Sequence, residues 1–150
     1  MLEAAVQVPQ PISHLLHYSL AECLLNQQQD SNCALELIEQ VIEGVQQQPV
    51  AKRSKAFLAH CLALRAWALA SCQSRAEAES SLQEAHSQFK FMGKHDCAEL
   101  LNLEGKIWIQ LENCESARVA FEKALLAFPH GTVAMHSQRG LDRIGKNKTD

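Results

Sequence analysis

The chain is poor in aromatic residues and lacks the motifs that usually mark a catalytic or nucleotide-binding site. Aromatic side chains make up only 5% of its 150 residues, whereas hydrophobic residues make up 47%. Its apolar content is therefore mainly alanine and leucine, which favour helices over strands. No phosphate-binding glycine loop, nucleophile elbow, zinc-protease helix or calcium loop occurs in the sequence. We therefore expect neither enzyme activity nor a cofactor.

Excess basic charge and long hydrophobic runs are also missing. The formal net charge is −3, whereas a general nucleic-acid binder usually has a basic surface. The most apolar stretch, residues 57–72, contains His60 and Arg65 and is too short to span a bilayer comfortably. The N-terminus has no basic residues and no long apolar core, so it does not resemble a secretory signal. We expect a cytoplasmic or nuclear protein that is not secreted and binds neither nucleic acid nor membrane.

Histidine and cysteine form no convincing metal or redox motif. The six cysteines are scattered with no C-x-x-C pair, which indicates small buried hydrophobes in a reducing compartment. His14 and His17 are three residues apart, but no cysteine, aspartate or glutamate stands beside them at ligand spacing. Cys97, two residues after His95, is placed at a helix start that would stabilise a thiolate, although a packed cysteine is the favoured interpretation. We therefore predict no metal site.

The apolar residues recur at helical spacing along nearly the whole chain. Ala34, Ile38 and Val41, for example, fall on one stripe of a helix, and no segment shows the sustained alternation of a strand. Asp30, Ser74 and Asn113 are predicted N-caps, and Ser74 stands three residues before a glutamate, as in a capping box. Seven helices are predicted, at roughly 12–28, 31–47, 50–72, 75–91, 96–111, 114–128 and 132–144. Their short connections require neighbouring helices to pack antiparallel.

One unit of the chain, residues 98–131, carries an ordered set of small and large residues. Residues at offsets of 3, 12, 16, 19 and 24 from Gly105 complete the set, which is Gly105, Trp108, Ala117, Phe121, Ala124 and Pro129. Small residues let two helices approach closely, large ones fill the space beside them, and proline stops the second helix. The set resembles the signature of the tetratricopeptide repeat (TPR) at six positions.

The same template fits two upstream regions less closely. Residues 59–92 supply Ala66, Leu69, Ala78, Leu82 and Ala85, and residues 15–48 supply Leu25, Ala34, Ile38 and Val41. Glu22 stands where a small residue is expected. The equivalent alanines Ala34, Ala78 and Ala117 are separated by 44 and 39 residues, whereas a standard TPR repeats every 34 or so. The chain thus resembles a TPR-like array with longer repeats over residues 12–131.

The resemblance implies an all-α fold, a right-handed α-solenoid of about three antiparallel helix pairs. Residues 11–144 would form this repeat domain, and helix 132–144, with Val133, Leu141 and Ile144, would cap it. Residues 1–10 and 145–150 are predicted to be disordered. The first helix has no obvious polar capping face, which leaves further repeats or self-association open.

The resemblance also implies a function, because the first helices of TPR pairs line a concave face where helices or extended peptides bind. The equivalent positions are Ser19, Cys23, Asn26, His60, Ala63, Trp67, Ala70, Glu99, Asn102, Lys106 and Ile109. We therefore expect a protein-binding scaffold, either an adaptor or a subunit of a larger complex. Two alternatives are a small TPR-type chaperone for a secreted or aggregation-prone client, and a metal-binding or redox-regulated protein that uses histidine and cysteine.

The helix predicted at 50–72 allows two interpretations, because it is apolar on nearly all sides. Such a helix must be covered all round, so Trp67 either belongs to the core or forms an exposed stripe for a partner.

Overall fold

The computed structural model describes residues 10–49 and 54–148, which form seven α-helices and no strand. The helices are α1 (Gln10–Asn26), α2 (Ser31–Gln46), α3 (Lys55–Ser71), α4 (Arg75–His86), α5 (Lys94–Gln110), α6 (Cys114–Ala127) and α7 (Gly131–Lys148). The predicted all-α fold is confirmed. None of the helices in the described ranges combines the length and apolar character that a membrane crossing requires.

Three helix ends differ from the predicted ones by four residues or more. α3 begins at Lys55, with Ser54 as its N-cap, and not at residue 50. α4 stops at His86, and a 3-10 helix at Phe89–Phe91 replaces the expected last turn. In this turn the partly buried Phe89 packs against the core and stacks on His86, with ring centroids 4.8 Å apart. α7 continues to Lys148, so residues 145–148 are helical and do not belong to the predicted disordered tail. The predicted disordered start falls on residues 1–9, which lie outside the described residues, and on Gln10, which is helical.

Side-chain caps begin three of the helices. Asp30, Ser54 and Asn113 each accept a hydrogen bond from the backbone N–H three residues later, at 3.1–3.2 Å. Ser74 occupies the expected N-cap position of α4, but its hydroxyl makes no capping hydrogen bond, so the predicted capping box is wrong. The first turn of α4 closes instead through the backbone, where the Ala78 N–H donates to the Ser74 carbonyl at 2.9 Å.

The helices pair as predicted and stack in two layers. α1 packs with α2, α3 with α4, and α5 with α6, while α1, α3, α5 and α7 touch in turn to form the layer of first helices. α3 contacts α1, α2, α4 and α5. Within residues 59–70 of α3, only His60 and Arg65 are not fully buried. The apolar character of α3 therefore reflects a central position that neighbours cover on nearly all sides.

The ring of Phe121 on α6 is enclosed by two glycines on different helices. Phe121 is only 1% exposed. A Cβ atom added to Gly105 on α5, or to Gly140 on α7, would lie 2.5 Å from this ring, closer than van der Waals contact allows. Gly140 stands 35 positions after Gly105 and repeats its role. α7 therefore packs on α6 as the first helix of a further pair would, in addition to covering the end of the stack.

The opposite end of the stack has an uncovered apolar face. On α1, the side chains of Leu15, Leu16 and Leu20 are 56%, 59% and 49% exposed. This agrees with the absence of a polar capping face in the sequence of the first helix.

The enclosure of Phe121 predicts opposite effects for two alanine substitutions in α7. Gly140→Ala should lower the free energy of unfolding by about 1–3 kcal/mol, because the new methyl group must displace the ring. Gly145→Ala, where a Cβ meets no atom within 4 Å, should instead raise it by about 0.5–1 kcal/mol through better helix propensity. Urea unfolding followed by circular dichroism measures both. Equal effects of the two substitutions would contradict the proposed packing, whereas adding Phe121→Leu should lessen the cost of Gly140→Ala.

Candidate functional site

A groove of about 870 Å³ runs across the layer of first helices. α1, α3, α5 and α7 line it, together with the turn between α6 and α7 and the edge of the Phe121 ring. Most of its polar side chains come from the helices, namely Tyr18, Glu22, Asn26, His60, His95, Glu99, Asn102, Lys106, Thr132, His136, Arg139 and Arg143.

Six of the eleven side chains predicted to contact a partner line this groove: Asn26, His60, Glu99, Asn102, Lys106 and Ile109. Ser19 and Cys23 are exposed on α1 but lie outside the groove lining. Ala63, Trp67 and Ala70 are buried, so their predicted role as exposed contacts is wrong. The reason is the central position of α3, whose groove-facing side is covered by α1 and α5 except at His60.

Trp67 belongs to the core and does not form an exposed stripe. Its side chain is 7% exposed and is part of the main hydrophobic cluster. The ammonium of Lys106 lies 5.4 Å from the centre of the indole ring, within range of a cation–π contact. Burial lowers the pKa of Lys106, and the nearby Glu22 carboxylate acts in the opposite direction. Lys106 thus connects the core beneath the groove to its charged lining.

The part of the groove between α1, α3 and α5 is rich in carboxylates and imidazoles. His60 Nε2 lies 3.1 Å from Glu99 Oε2, and His95 Nε2 lies 3.5 Å from the other carboxylate oxygen of Glu99. Burial lowers the pKa of His60, although the Glu99 carboxylate favours its protonated form. Burial also raises the pKa of the Tyr18 hydroxyl beside Glu22. Burial therefore favours the neutral forms of His60 and Tyr18 in this part of the groove, next to carboxylates.

The α7 side of the groove carries basic side chains. His136, Arg139 and Arg143 are exposed and point along one face of α7 that lines the groove. Neither arginine forms an ion pair with any residue in the part of the chain that the structure describes. Asn102 ties this helix to α5, because its amide donates to the Val133 carbonyl at 3.4 Å and to the Ser137 hydroxyl at 3.3 Å. The two arginines are therefore held on an anchored helix.

Sequence reasoning missed the α7 side of the groove because that helix was interpreted only as a cap. The signal was present in Gly140, which follows Gly105 by about one repeat length. Aligning the two glycines would have placed α7 among the groove-lining helices. His14, by contrast, is explained by packing, since its ring lies against Gly44 and is buried there.

A second groove, of about 570 Å³, lies between α4, α5 and α6. Its central carboxylate, Glu104, is already engaged, because His86 Nε2 lies 2.8 Å from Oε2 and Trp108 Nε1 donates to Oε1 at 3.1 Å. These contacts join the end of α4 to α5. They give the mostly buried Glu104 carboxylate the hydrogen-bond partners that a charged group needs when it is buried.

A solved structure shares the arrangement of the helices. The crystal structure of a TPR-like protein from Chlorobium tepidum matches this one with a TM-score of 0.63, covering 93% of this chain and 96% of that chain at 20% sequence identity. The fold is TPR-like. No family model and no curated protein sequence matches the chain. The groove of this structure lies on the layer of first helices, and its use as a binding face stays a prediction.

The burial of Trp67 predicts a loss of stability on truncation. Trp67→Ala should lower the free energy of unfolding by about 3–5 kcal/mol, because it leaves a cavity in the centre of the stack. Trp67→Phe should cost less, since it keeps an aromatic face beneath Lys106. Leu126→Ala, at a side chain that is 85% exposed, serves as the matched control and should change stability by less than about 0.5 kcal/mol. Chemical denaturation of the three variants measures the difference, and a Trp67→Ala protein as stable as the parent would contradict this packing.

Proposed function

We propose that the protein is an interaction module, an adaptor or a subunit of a larger complex, which binds a segment of another protein in the groove. The observation that carries this proposal is the basic face of α7, where Arg139 and Arg143 line the groove without an ion-pair partner among the described residues. Arginine is enriched at protein interfaces because its planar group binds carboxylates in two places. The groove volume of about 870 Å³ is within the range of pockets that bury most of a drug-sized ligand.

The distribution of charge favours one chemistry and one orientation of the bound segment. Acidic side chains of the partner should meet Arg139 and Arg143, while its neutral or basic part should lie near Glu22 and Glu99. Complementary potentials of this kind set the direction in which a peptide binds. An extended or helical segment with acidic residues at one end satisfies both requirements.

The charged lining also bears on the chaperone alternative. A holding chaperone for aggregation-prone clients needs an accessible apolar surface at its binding site, but Trp67 and most of α3 are buried beneath the groove. The exposed leucines of α1 lie outside the groove lining. An adaptor with a charge-selective groove therefore suits the lining better. We propose that the protein acts in the cytoplasm or nucleus.

Charge reversal in the groove tests this function. Peptides selected from a random library on the full chain should be enriched in acidic residues, and Arg139→Glu with Arg143→Glu should weaken their binding by about tenfold or more. That expectation follows because each charge-assisted hydrogen bond contributes about 1.5–3 kcal/mol. Fluorescence anisotropy with labelled peptides measures the affinity.

Arg75→Glu is the matched control, since Arg75 is an exposed arginine on α4 away from the groove. It should leave peptide binding within about twofold of the parent, because Arg75 does not line the groove and salt screens an exposed charge. If no peptide is enriched, or if the groove variants bind as well as Arg75→Glu, the proposed function is wrong.

A further inference from the structure

Three side chains from two helices converge beside the groove, and two of them, His60 and Glu99, line it. His60 comes from α3, and Asp96 and Glu99 come from α5, three residues apart on one face of that helix. One potential ligand atom of each residue lies within 4.8 Å of the other two. Only the contact between His60 and Glu99 is itself a hydrogen bond, at 3.1 Å. The two helices thus bring together residues that are 39 positions apart in the chain.

The donor set is one that divalent transition metals use. Zinc binds imidazole nitrogen and carboxylate oxygen at about 2.0–2.2 Å, so the ligand atoms of a tetrahedral site lie about 3.3 Å apart. The Nε2 of His60 and Oε2 of Glu99 already lie near that separation. A shift of the Asp96 carboxylate oxygen by about 1.6 Å or less would bring it to the same distance from both atoms.

The position of His60 selects the coordinating atom. Its Nδ1 is buried without a hydrogen-bond partner in the described part of the chain, whereas Nε2 faces the carboxylates. α3 is the most buried helix of the stack, so the backbone that carries His60 is rigid.

Glu99 has an additional neighbour that orients it. His95 Nε2 lies 3.5 Å from the Glu99 oxygen that faces away from His60. The His95 ring packs edge-on against Phe128, with centroids 5.0 Å apart. His95 therefore stands where an outer-shell partner of Glu99 would be needed.

We propose that His60, Asp96 and Glu99 form a binding site for a divalent transition metal ion, with zinc as the best match. The ion would have three protein ligands and one open position facing the groove, where water or a partner's side chain binds. It would link α3 to α5 and make this part of the groove less negative. The proposal does not rest on the proposed function, because the site is complete within the chain.

Zinc titration of the full, chelator-treated chain tests the site. The parent should bind one zinc ion that Glu99→Gln and Asp96→Asn each weaken by about tenfold or more, since even outer-shell changes at metal sites have effects of that size. Zinc should raise the melting temperature of the parent but not of Glu99→Gln, because an ion that binds only the folded state stabilises it. Competition with a chromophoric chelator measures the affinity.

His86→Ala is the matched control. His86 lies 2.8 Å from Glu104, a histidine–carboxylate pair outside the proposed site, and its removal should leave zinc affinity unchanged. Cobalt absorption separates this site from the six cysteines, because thiolate ligands produce intense charge-transfer bands that nitrogen and oxygen ligands do not. The proposal is wrong if Glu99→Gln and Asp96→Asn bind zinc like the parent, or if the cobalt complex shows thiolate bands. These variants keep the size of each side chain, so both should fold, which circular dichroism checks.

Discussion

The packing of the stack depends on glycines, because two helices can approach closely only where one of them has no side chain at the contact. Phe121 fits between α5 and α7 since both Gly105 and Gly140 leave room for its ring. The first helix pair uses the same principle with the partners exchanged, because the ring of His14 on α1 occupies the space that a Cβ on Gly44 of α2 would need. Interiors are packed so tightly that each added methyl group is felt. The layer of first helices, and the groove across it, follow from these contacts.

The turns inside the three helix pairs share one backbone geometry. Gln28, Gln73 and Glu112 each adopt a positive φ between 54° and 63°. In each case the next N–H donates back to a carbonyl five residues earlier at 2.8–2.9 Å, which is the Schellman closure of a helix end. These residues stand 45 and 39 positions apart, close to the spacing of the repeat alanines. Sequence reasoning overlooked them because glycine usually takes this conformation, and here glutamine and glutamate accept its cost.

The central helix explains why the groove differs from the expected one. α3 lies between α1 and α5, so its small and aromatic residues fill the core. On another side, α3 forms hydrogen bonds with Ser81 of α4. The Ser81 hydroxyl on α4 donates to the Leu62 carbonyl at 2.7 Å and accepts a hydrogen bond from Arg65 at 3.0 Å. Only His60 of the predicted α3 contacts reaches the groove. The remaining lining therefore comes from α1, α5 and α7, which gives the groove an acidic and a basic side.

Local sequence patterns were sufficient to predict the helices, their antiparallel pairing and the repeat that ends at Pro129. Apolar periodicity, capping residues and short connections act between near neighbours in the chain, so they can be recognised without the tertiary structure. They were also sufficient to place Asn26, Glu99 and Lys106 on the first helices. Only the tertiary structure decided three other features. These are the burial of Trp67, the position of Arg139 and Arg143 along the groove, and the proximity of His60 to Asp96 and Glu99. Each of these depends on how one helix is rotated and shifted against another. That rotation is set by contacts such as the Phe121 ring between two glycines, which join residues far apart in sequence.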